Sequence, residues 1–192
     1  QLISLLRKVI IPMIRIKRIH MDVKPENLLV SGSDVRRSIQ IKLIDWGLSI
    51  DVSNHKELYV YKPFQFNLPL GCILASREAT DLANQLLRNG GTFPEIATIL
   101  LDTSVGANKG HYELIYKNIS VLFPLTNPKA IIRNNIAAIL KAYSTLKNDY
   151  LYFEGGRYLR EVFYKNVDIV GLLSVYQEIS LHCSKPYRLI AN

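Results

Sequence analysis

The spacing of apolar residues divides the chain into stretches of different character. Residues 1–19 carry apolar positions at helical spacing, and Pro12 is expected to interrupt or end this helix before a short extended run. Residues 28–30 and 39–43 form two apolar runs on either side of a Ser-Gly-Ser-Asp turn, and the second run alternates with polar residues. This pattern predicts a β-hairpin over residues 28–44.

Helical spacing returns after a long loop that is predicted over residues 45–70, and clusters of glycine and proline separate the segments that follow. The predicted helices cover residues 77–88, 94–102, 111–122, 128–146, 157–166 and 167–181. The sequence therefore predicts a mainly α protein with a small β-hairpin, which is an α+β fold. The expected domains are residues 1–70, a helical block over 71–164, and a final helical segment over 165–192.

Composition fits a globular protein with a core, since 48% of the 192 residues are hydrophobic. No apolar run approaches the roughly 18 residues that a membrane-spanning helix requires, so no membrane association is expected. The two cysteines, Cys72 and Cys183, lie far apart and favour reduced thiols in the cytoplasm or the nucleus, and a cytoplasmic protein is expected. The net charge is +8, but its densest cluster, over residues 7–18, contains no aromatic residue. A nucleic-acid partner is therefore not expected.

Four residues between positions 22 and 45 have the chemical types that phosphoryl transfer from a magnesium nucleotide requires. A carboxylate must accept the proton of the attacking hydroxyl, a cation must meet the phosphoryl charge, and oxygen ligands must hold the metal. Asp22, Lys24 and Asn27 precede the predicted hairpin, and Asp45 follows it. Because a hairpin returns the chain to its start, Asp45 is expected to approach Asn27 and share one metal with it. Each residue alone is typical of a turn or a solvated charge, so the signal lies in their order.

The sequence HMDVKPEN at residues 20–27 resembles the H-R-D-x-K-x-x-N catalytic loop of eukaryotic-type protein kinases. The sequence D-W-G at residues 45–47 resembles the D-F-G metal-binding turn of the same family. The resemblance implies a serine/threonine kinase that uses ATP and Mg²⁺, since lysine two positions after the aspartate is the serine/threonine form. It also implies part of the large, C-terminal lobe of that fold.

The family resemblance gives each matching residue an expected role. Asp22 would be the catalytic base, and Lys24 would contact the γ-phosphate. Asn27 and Asp45 would bind magnesium. The remaining residues are Leu29 beneath the adenine, Ile44 behind it, and His20, Trp46 and Gly47 as structural support, with Gly47 giving the backbone freedom to turn away from the metal.

The sequence VDIVGLL at residues 167–173 resembles the start of the central helix of the kinase large lobe. In that family the aspartate accepts hydrogen bonds from backbone amides of the catalytic loop. Asp168 is the candidate for this anchor, and an ordinary helix N-cap is the alternative.

Two departures from the family pattern bear on regulation and on origin. Met21 replaces the arginine that receives the phosphate of a phosphorylated activation loop, so this form of activation is not expected. The segment Y-x-P-F-Q-F-N at residues 61–67 is similar to a segment in divergent kinases of large DNA viruses. A viral origin would place the protein in the host cytoplasm or in the virion. The block over 71–164 is interpreted as an insertion into the kinase lobe.

The expected partners are a protein substrate with serine or threonine and the N-terminal lobe that this sequence does not contain. A glycine-rich loop and its strand lysine are missing from the sequence. The chain is therefore expected to belong to a longer protein and to be inactive alone.

Two alternatives stay open. One is a small-molecule kinase of the aminoglycoside or choline type, whose I-D-W motif matches residues 44–46, although Lys24-Pro25 and Gly47 favour a protein kinase. The other is a non-catalytic, pseudokinase-like interaction module whose helical block binds a partner.

Overall fold

Helices make up most of the computed structural model of this chain. The structure describes residues 2–32, 40–53, 67–103, 112–113, 115–117, 120 and 127–182. Its strands, within these residues, form small antiparallel sheets of two strands each, so the predicted mainly α, α+β class is confirmed. Contacts along the chain define two units, Gln1–His55 with Tyr164–Asn192, and Lys56–Phe163.

The first unit begins with continuous helical turns. These are α1 (Leu2–Leu5), a π-helical turn (Leu6–Ile10) and α2 (Ile11–Arg15). The prediction that Pro12 breaks the helix is wrong. The amide of Ile11 donates to the carbonyl of Leu6 in a π-type bond, and Pro12 follows in the first turn of α2, where its missing amide hydrogen costs little. The extended run predicted after this helix is also shorter in the structure, where it covers only the two residues of the next strand.

The strands of the first unit are short, and a single 3₁₀ turn precedes each of β2 and β4. In chain order they are β1 (Arg18–Ile19), a 3₁₀ turn (Pro25–Asn27), β2 (Leu28–Ser31), β3 (Gln40–Leu43), a 3₁₀ turn (Trp46–Leu48) and β4 (Ile50–Asp51). β1 pairs with β4, with Arg18 opposite Asp51. β2 pairs with β3, with Leu28 opposite Leu43, so the predicted hairpin is present. The tip of the hairpin lies outside the described residues.

The second unit is mainly helical. Its elements are a 3₁₀ turn (Cys72–Ala75), α3 (Arg77–Arg88), α4 (Phe93–Thr103), α5 (Pro128–Ala142), β5 (Ser144–Lys147), β6 (Tyr150–Phe153), α6 (Gly155–Tyr158) and a π-helical turn (Leu159–Phe163). Side-chain caps fix two helix starts, since Ser76 accepts from the amide of Ala79 and Asn127 accepts from the amide of Ala130. Half of the residues of the helix predicted over 111–122 lie outside the described residues, and the described half is helical.

The prediction of a helix over 128–146 is wrong at its end. The helix stops at Ala142, and a hairpin of β5 and β6 follows, which sequence reasoning missed. Its turn residues Asn148 and Asp149 have φ values of 49° and 66°, the left-handed pair that a tight two-residue hairpin turn requires. The core of this unit is apolar and fully buried, with large contributions from Phe153, Tyr158 and Phe163.

The chain returns to the first unit with α7 (Tyr164–His182). Helical turns continue without a break from α6 through the π-helical turn into α7, so the two helices predicted over 157–166 and 167–181 are not separate. Buried residues from the start of the chain, the loop after β1, β3 and α7 form one core cluster: Leu5, Ile10, Val23, Leu43 and Leu172. Helix α7 thereby packs against the loop that carries the candidate site. Among the described residues, none of the helices has the length and apolar character needed to cross a membrane.

Candidate active site

The loop between β1 and β2 brings three predicted site residues into direct contact. Asp22 is 2% exposed, and the ammonium of Lys24 lies 2.9 Å from its Oδ2. The side-chain amide of Asn27 donates to the backbone carbonyl of Asp22 at 2.8 Å and to Oδ2 at 3.0 Å. A carboxylate this deeply buried requires such partners, because desolvation of an unpaired charge is costly. The cluster therefore holds one carboxylate oriented by a cation and an amide.

His20 connects this cluster to the strand that leads to Asp45. The ring is fully buried, its Nδ1 accepts from the amide of Asp22 at 3.3 Å, and its Nε2 lies 2.9 Å from the carbonyl oxygen of Ile44. These two partners require Nδ1 as acceptor and Nε2 as donor, which selects one neutral tautomer. The indole of Trp46 packs edge-on against the imidazole, with ring centroids 4.7 Å apart. His20 and Trp46 therefore contact each other beside the loop that carries Asp22.

Asp168 on α7 accepts two short hydrogen bonds from the loop. Its Oδ2 accepts from the amide of His20 at 2.7 Å and its Oδ1 from the amide of Met21 at 2.8 Å. The predicted contact between Asp168 and backbone amides of the loop is therefore present in the structure. Met21 has a φ of 71°, a left-handed conformation that is costly for a residue with a side chain. The two charge-assisted hydrogen bonds offset that cost and fix the backbone just before Asp22.

A glycine on the same helix allows α7 to approach the loop. A Cβ atom at Gly171 would lie 2.5 Å from the carbonyl oxygen of Val23 and 2.8 Å from the Cβ of Val23. Sequence reasoning gave Gly171 no role of its own, although a glycine inside a helical pattern is a signal for close packing. Helix α7 therefore contacts the loop in two ways. The Asp168 carboxylate accepts hydrogen bonds from the loop backbone, and Gly171 lets the helix backbone approach Val23 closely.

Asp45 lies in a tight turn directly after β3. The amide of Ile44 donates to the carbonyl of Asn27 at 2.9 Å, which ties the start of this turn to the loop. Asp45 has φ 59° and ψ 71°, and its Oδ1 accepts from the amide of Gly47 at 3.4 Å. The left-handed residue of this turn is therefore Asp45, while Gly47 is not among the described glycines with positive φ. The prediction that Gly47 gives the backbone its freedom to turn here is therefore wrong, because Asp45 adopts the left-handed conformation instead.

The donor set of this site fits a magnesium ion held jointly with phosphate oxygens. Asn27 commits its amide nitrogen to Asp22, so its oxygen is the atom it would offer to a cation, and the exposed Asp45 would offer a carboxylate. Mg²⁺ commonly takes one or two protein oxygens and completes its shell with water and substrate. Within the described residues no group of three or more His, Cys, Asp or Glu side chains could hold a metal alone.

The residues expected near the adenine lie on the hairpin. Leu29 on β2 is 54% exposed, and Ile44 after β3 is half-buried. Val30 and Trp46 add 64% and 44% exposed apolar side chains nearby in the chain. Ligand sites are lined mainly by apolar side chains, and these residues supply such surface. The segment over residues 54–66, including most of the Y-x-P-F-Q-F-N motif, lies outside the described residues.

Searches against family models, curated proteins and solved structures found no match for this chain.

Proposed function

We propose that this chain carries the catalytic residues of a protein kinase that transfers the γ-phosphoryl group of ATP to serine or threonine. The observation that carries the proposal is the buried carboxylate of Asp22, which contacts both the Lys24 ammonium and the Asn27 amide. Phosphoryl transfer depends on positioning and on electrostatic stabilisation more than on covalent chemistry by the enzyme. A rigid acid–cation–amide cluster on a strained loop suits that requirement.

In the proposed reaction, the substrate hydroxyl oxygen forms a bond to the γ-phosphorus while the bond to the bridging oxygen of ADP breaks. Asp22 orients the hydroxyl and accepts its proton. Lys24 lies 2.9 Å from Asp22, so its charge can serve the carboxylate and the transferred group from one position. Asn27 and Asp45 would hold Mg²⁺, which when bound neutralises phosphate charge.

Of the two alternatives, a small-molecule kinase is disfavoured by the contact that Lys24 makes. This lysine, two positions after Asp22, is absent from the H-G-D-x-x-x-x-N loop of the aminoglycoside and choline type, yet here it forms the ion pair of the cluster. A non-catalytic module is disfavoured because Asp22, Lys24 and Asn27 keep both their identities and their mutual contacts. A decayed site has no need to hold a buried charge and a left-handed Met21 in place.

Magnesium-dependent nucleotide binding tests the proposal on the chain as it is. Trp46 is the only tryptophan of the sequence and packs on His20, so its fluorescence should respond to ATP. We expect weak binding that requires Mg²⁺, because the sequence lacks the glycine-rich loop that would cover the phosphates. Asp45→Asn should abolish the magnesium requirement or the binding itself. Glu26→Gln removes an exposed charge from the loop between β1 and β2 and should leave binding unchanged.

The substrate class requires a second measurement. Phosphoamino-acid analysis of protein substrates, with the chain joined to a nucleotide-binding lobe, should give phosphoserine or phosphothreonine. Transfer to a small amino alcohol or aminoglycoside alone would contradict the protein-kinase assignment. Micromolar ATP binding with measurable phosphoryl transfer by the 192-residue chain alone would instead show that the block over 71–164 is not merely an insertion.

A further inference from the structure

The second unit contains a cavity that the proposed kinase site does not use. Its volume is about 410 Å³, within the range of small-molecule sites. One wall comes from the end of α4, a second from the first turns of α5, and a third from the helical residues around Tyr112 and Tyr116. All of its lining residues belong to the unit Lys56–Phe163.

The cavity is lined by two carboxylates and two cations. Asp102 and Glu113 supply the negative charges, and Lys129 and Arg133, one helical turn apart on α5, supply the positive charges. Among the residues that the structure describes, none of these four groups has an ion pair within 4.0 Å. Opposite charges that surround one space without pairing can each serve a ligand group of opposite sign.

Two tyrosines supply aromatic surface to the cavity wall, in addition to Leu101 and Ala130. The Tyr112 side chain is 3% exposed, and its hydroxyl is directed to the carbonyl of Leu70 at 3.5 Å, which leaves the ring as a fixed surface. The ammonium of Lys129 lies 5.2 Å from the centre of the Tyr116 ring. Burial raises the pKa of the Tyr116 hydroxyl, and the charges of Glu113 and Asp102 raise it further.

We propose that this cavity binds a small zwitterion, a free amino acid or a dipeptide. Asp102 and Glu113 face the ligand's ammonium, Lys129 and Arg133 face its carboxylate, and the tyrosines contact its apolar body. Nucleotides and other phosphate-rich ligands are disfavoured, since the two carboxylates cancel the attraction of the two cations. This site is independent of the proposed phosphoryl transfer.

Calorimetry on the full 192-residue chain tests the proposal with glycine, L-phenylalanine and L-phenylalanylglycine as probes. At least one probe should bind saturably at millimolar concentration or below. Phenethylamine and 3-phenylpropionate, which each keep one of the two charges of phenylalanine, should bind more weakly. Asp102→Asn and Arg133→Gln should each weaken binding by about tenfold, the effect of one lost charge-assisted hydrogen bond.

Matched controls remove the same charges elsewhere in the second unit. Asp81→Asn on α3 and Lys141→Gln at the end of α5 are exposed and do not line the cavity, so they should bind like the wild type. Failure of all three probes to bind would overturn the proposal, and so would equal affinity of cavity and control variants. Competition of ATP with a bound probe would also overturn it, because the cavity would then be a nucleotide site.

Discussion

Three buried polar side chains of the first unit meet around one loop, whereas a buried amide of the second unit pairs with the backbone of a strand 69 residues away in the sequence. Asp22, Asn27 and Asp168 are each 5% exposed or less and contact one another or the backbone of residues 20–22. Asn84 of the second unit is equally buried, but both of its polar atoms pair with the backbone of Phe153. A buried amide therefore completes backbone hydrogen bonds in the second unit and belongs to a side-chain cluster in the first.

Backbone strain separates the two units in the same way. In the second unit the non-glycine residues described with positive φ are Asn148 and Asp149, an exposed hairpin turn that favours this conformation. In the first unit Lys17, Met21 and Asp45 adopt it, and Met21 and Asp45 do so beside or within the candidate site. Strain that coincides with buried charge is the combination typical of functional sites, and here it marks one unit only among the described residues.

The largest effect is expected from Asp22→Asn, which keeps the shape of the side chain and removes the proton acceptor. Turnover should fall by about 10²–10⁴-fold, the usual contribution of a general base, with nucleotide affinity nearly unchanged. Steady-state kinetics of the chain joined to a nucleotide-binding lobe measures both quantities. Glu26→Gln is the control for charge loss on this loop. Normal turnover of Asp22→Asn would mean that the base lies elsewhere.

Asp168→Ala should have the largest effect on stability. It removes the acceptor for the amides of His20 and Met21, and hydrogen bonds to charged groups contribute most when both partners are buried. We expect the free energy of unfolding to fall by about 3 kcal/mol in urea denaturation. Lys165→Ala, an exposed change one turn earlier on α7, should cost little. Equal stability of the two variants would contradict the anchor role of Asp168.

Asn84→Ala should destabilise the second unit without touching the site. The side chain accepts from the amide of Phe153 at 2.8 Å and donates to its carbonyl at 3.4 Å, so the change leaves buried backbone groups unpaired. A loss of about 2 kcal/mol is expected in the same denaturation assay. The magnesium-dependent response of Trp46 should persist in the folded variant. Loss of that response would show that the two units do not divide their roles as described.

The smallest effect concerns Cys72 at high pH. Burial raises the pKa of its thiol from 9.0 to about 12, so the thiol stays neutral in the folded protein where the unfolded chain already ionises. This contribution to stability is complete below about pH 9 and is lost as the pH rises from there toward about 12. Unfolding curves across this range should fall more steeply for the wild type than for Cys72→Ala. Parallel curves would contradict the buried, neutral thiol.

Sequence reasoning succeeded where the residues are close together in the chain. Asp22, Lys24 and Asn27 lie within six positions on one loop. Side chains this close in the sequence are expected to lie close together in the structure. Asp168 contacts an amide 148 residues away, and its placement followed from a motif rather than from physical spacing. The catalytic and magnesium-binding roles of these residues stay predictions.

The misses have local physical causes. The π-helical bond from Ile11 to Leu6 carries the helix past Pro12, and apolar spacing does not reveal a change in hydrogen-bond register. The hairpin of β5 and β6 follows α5 after a single residue and turns on Asn148 and Asp149 without a glycine. The sequence therefore predicts that the helix continues into the first strand, because the glycine that usually signals a tight turn is missing.

The close approach of α7 to the loop sets the mutational tolerance of the helix. At position 171 even a methyl group would meet the Val23 carbonyl at 2.5 Å, so saturation mutagenesis should recover glycine almost alone there. Two positions later Leu173 is 61% exposed, and most residue types should be accepted. The contrast within half a helical turn marks the side of α7 that faces the loop between β1 and β2. A library scored for folding alone would therefore outline the candidate site without any substrate.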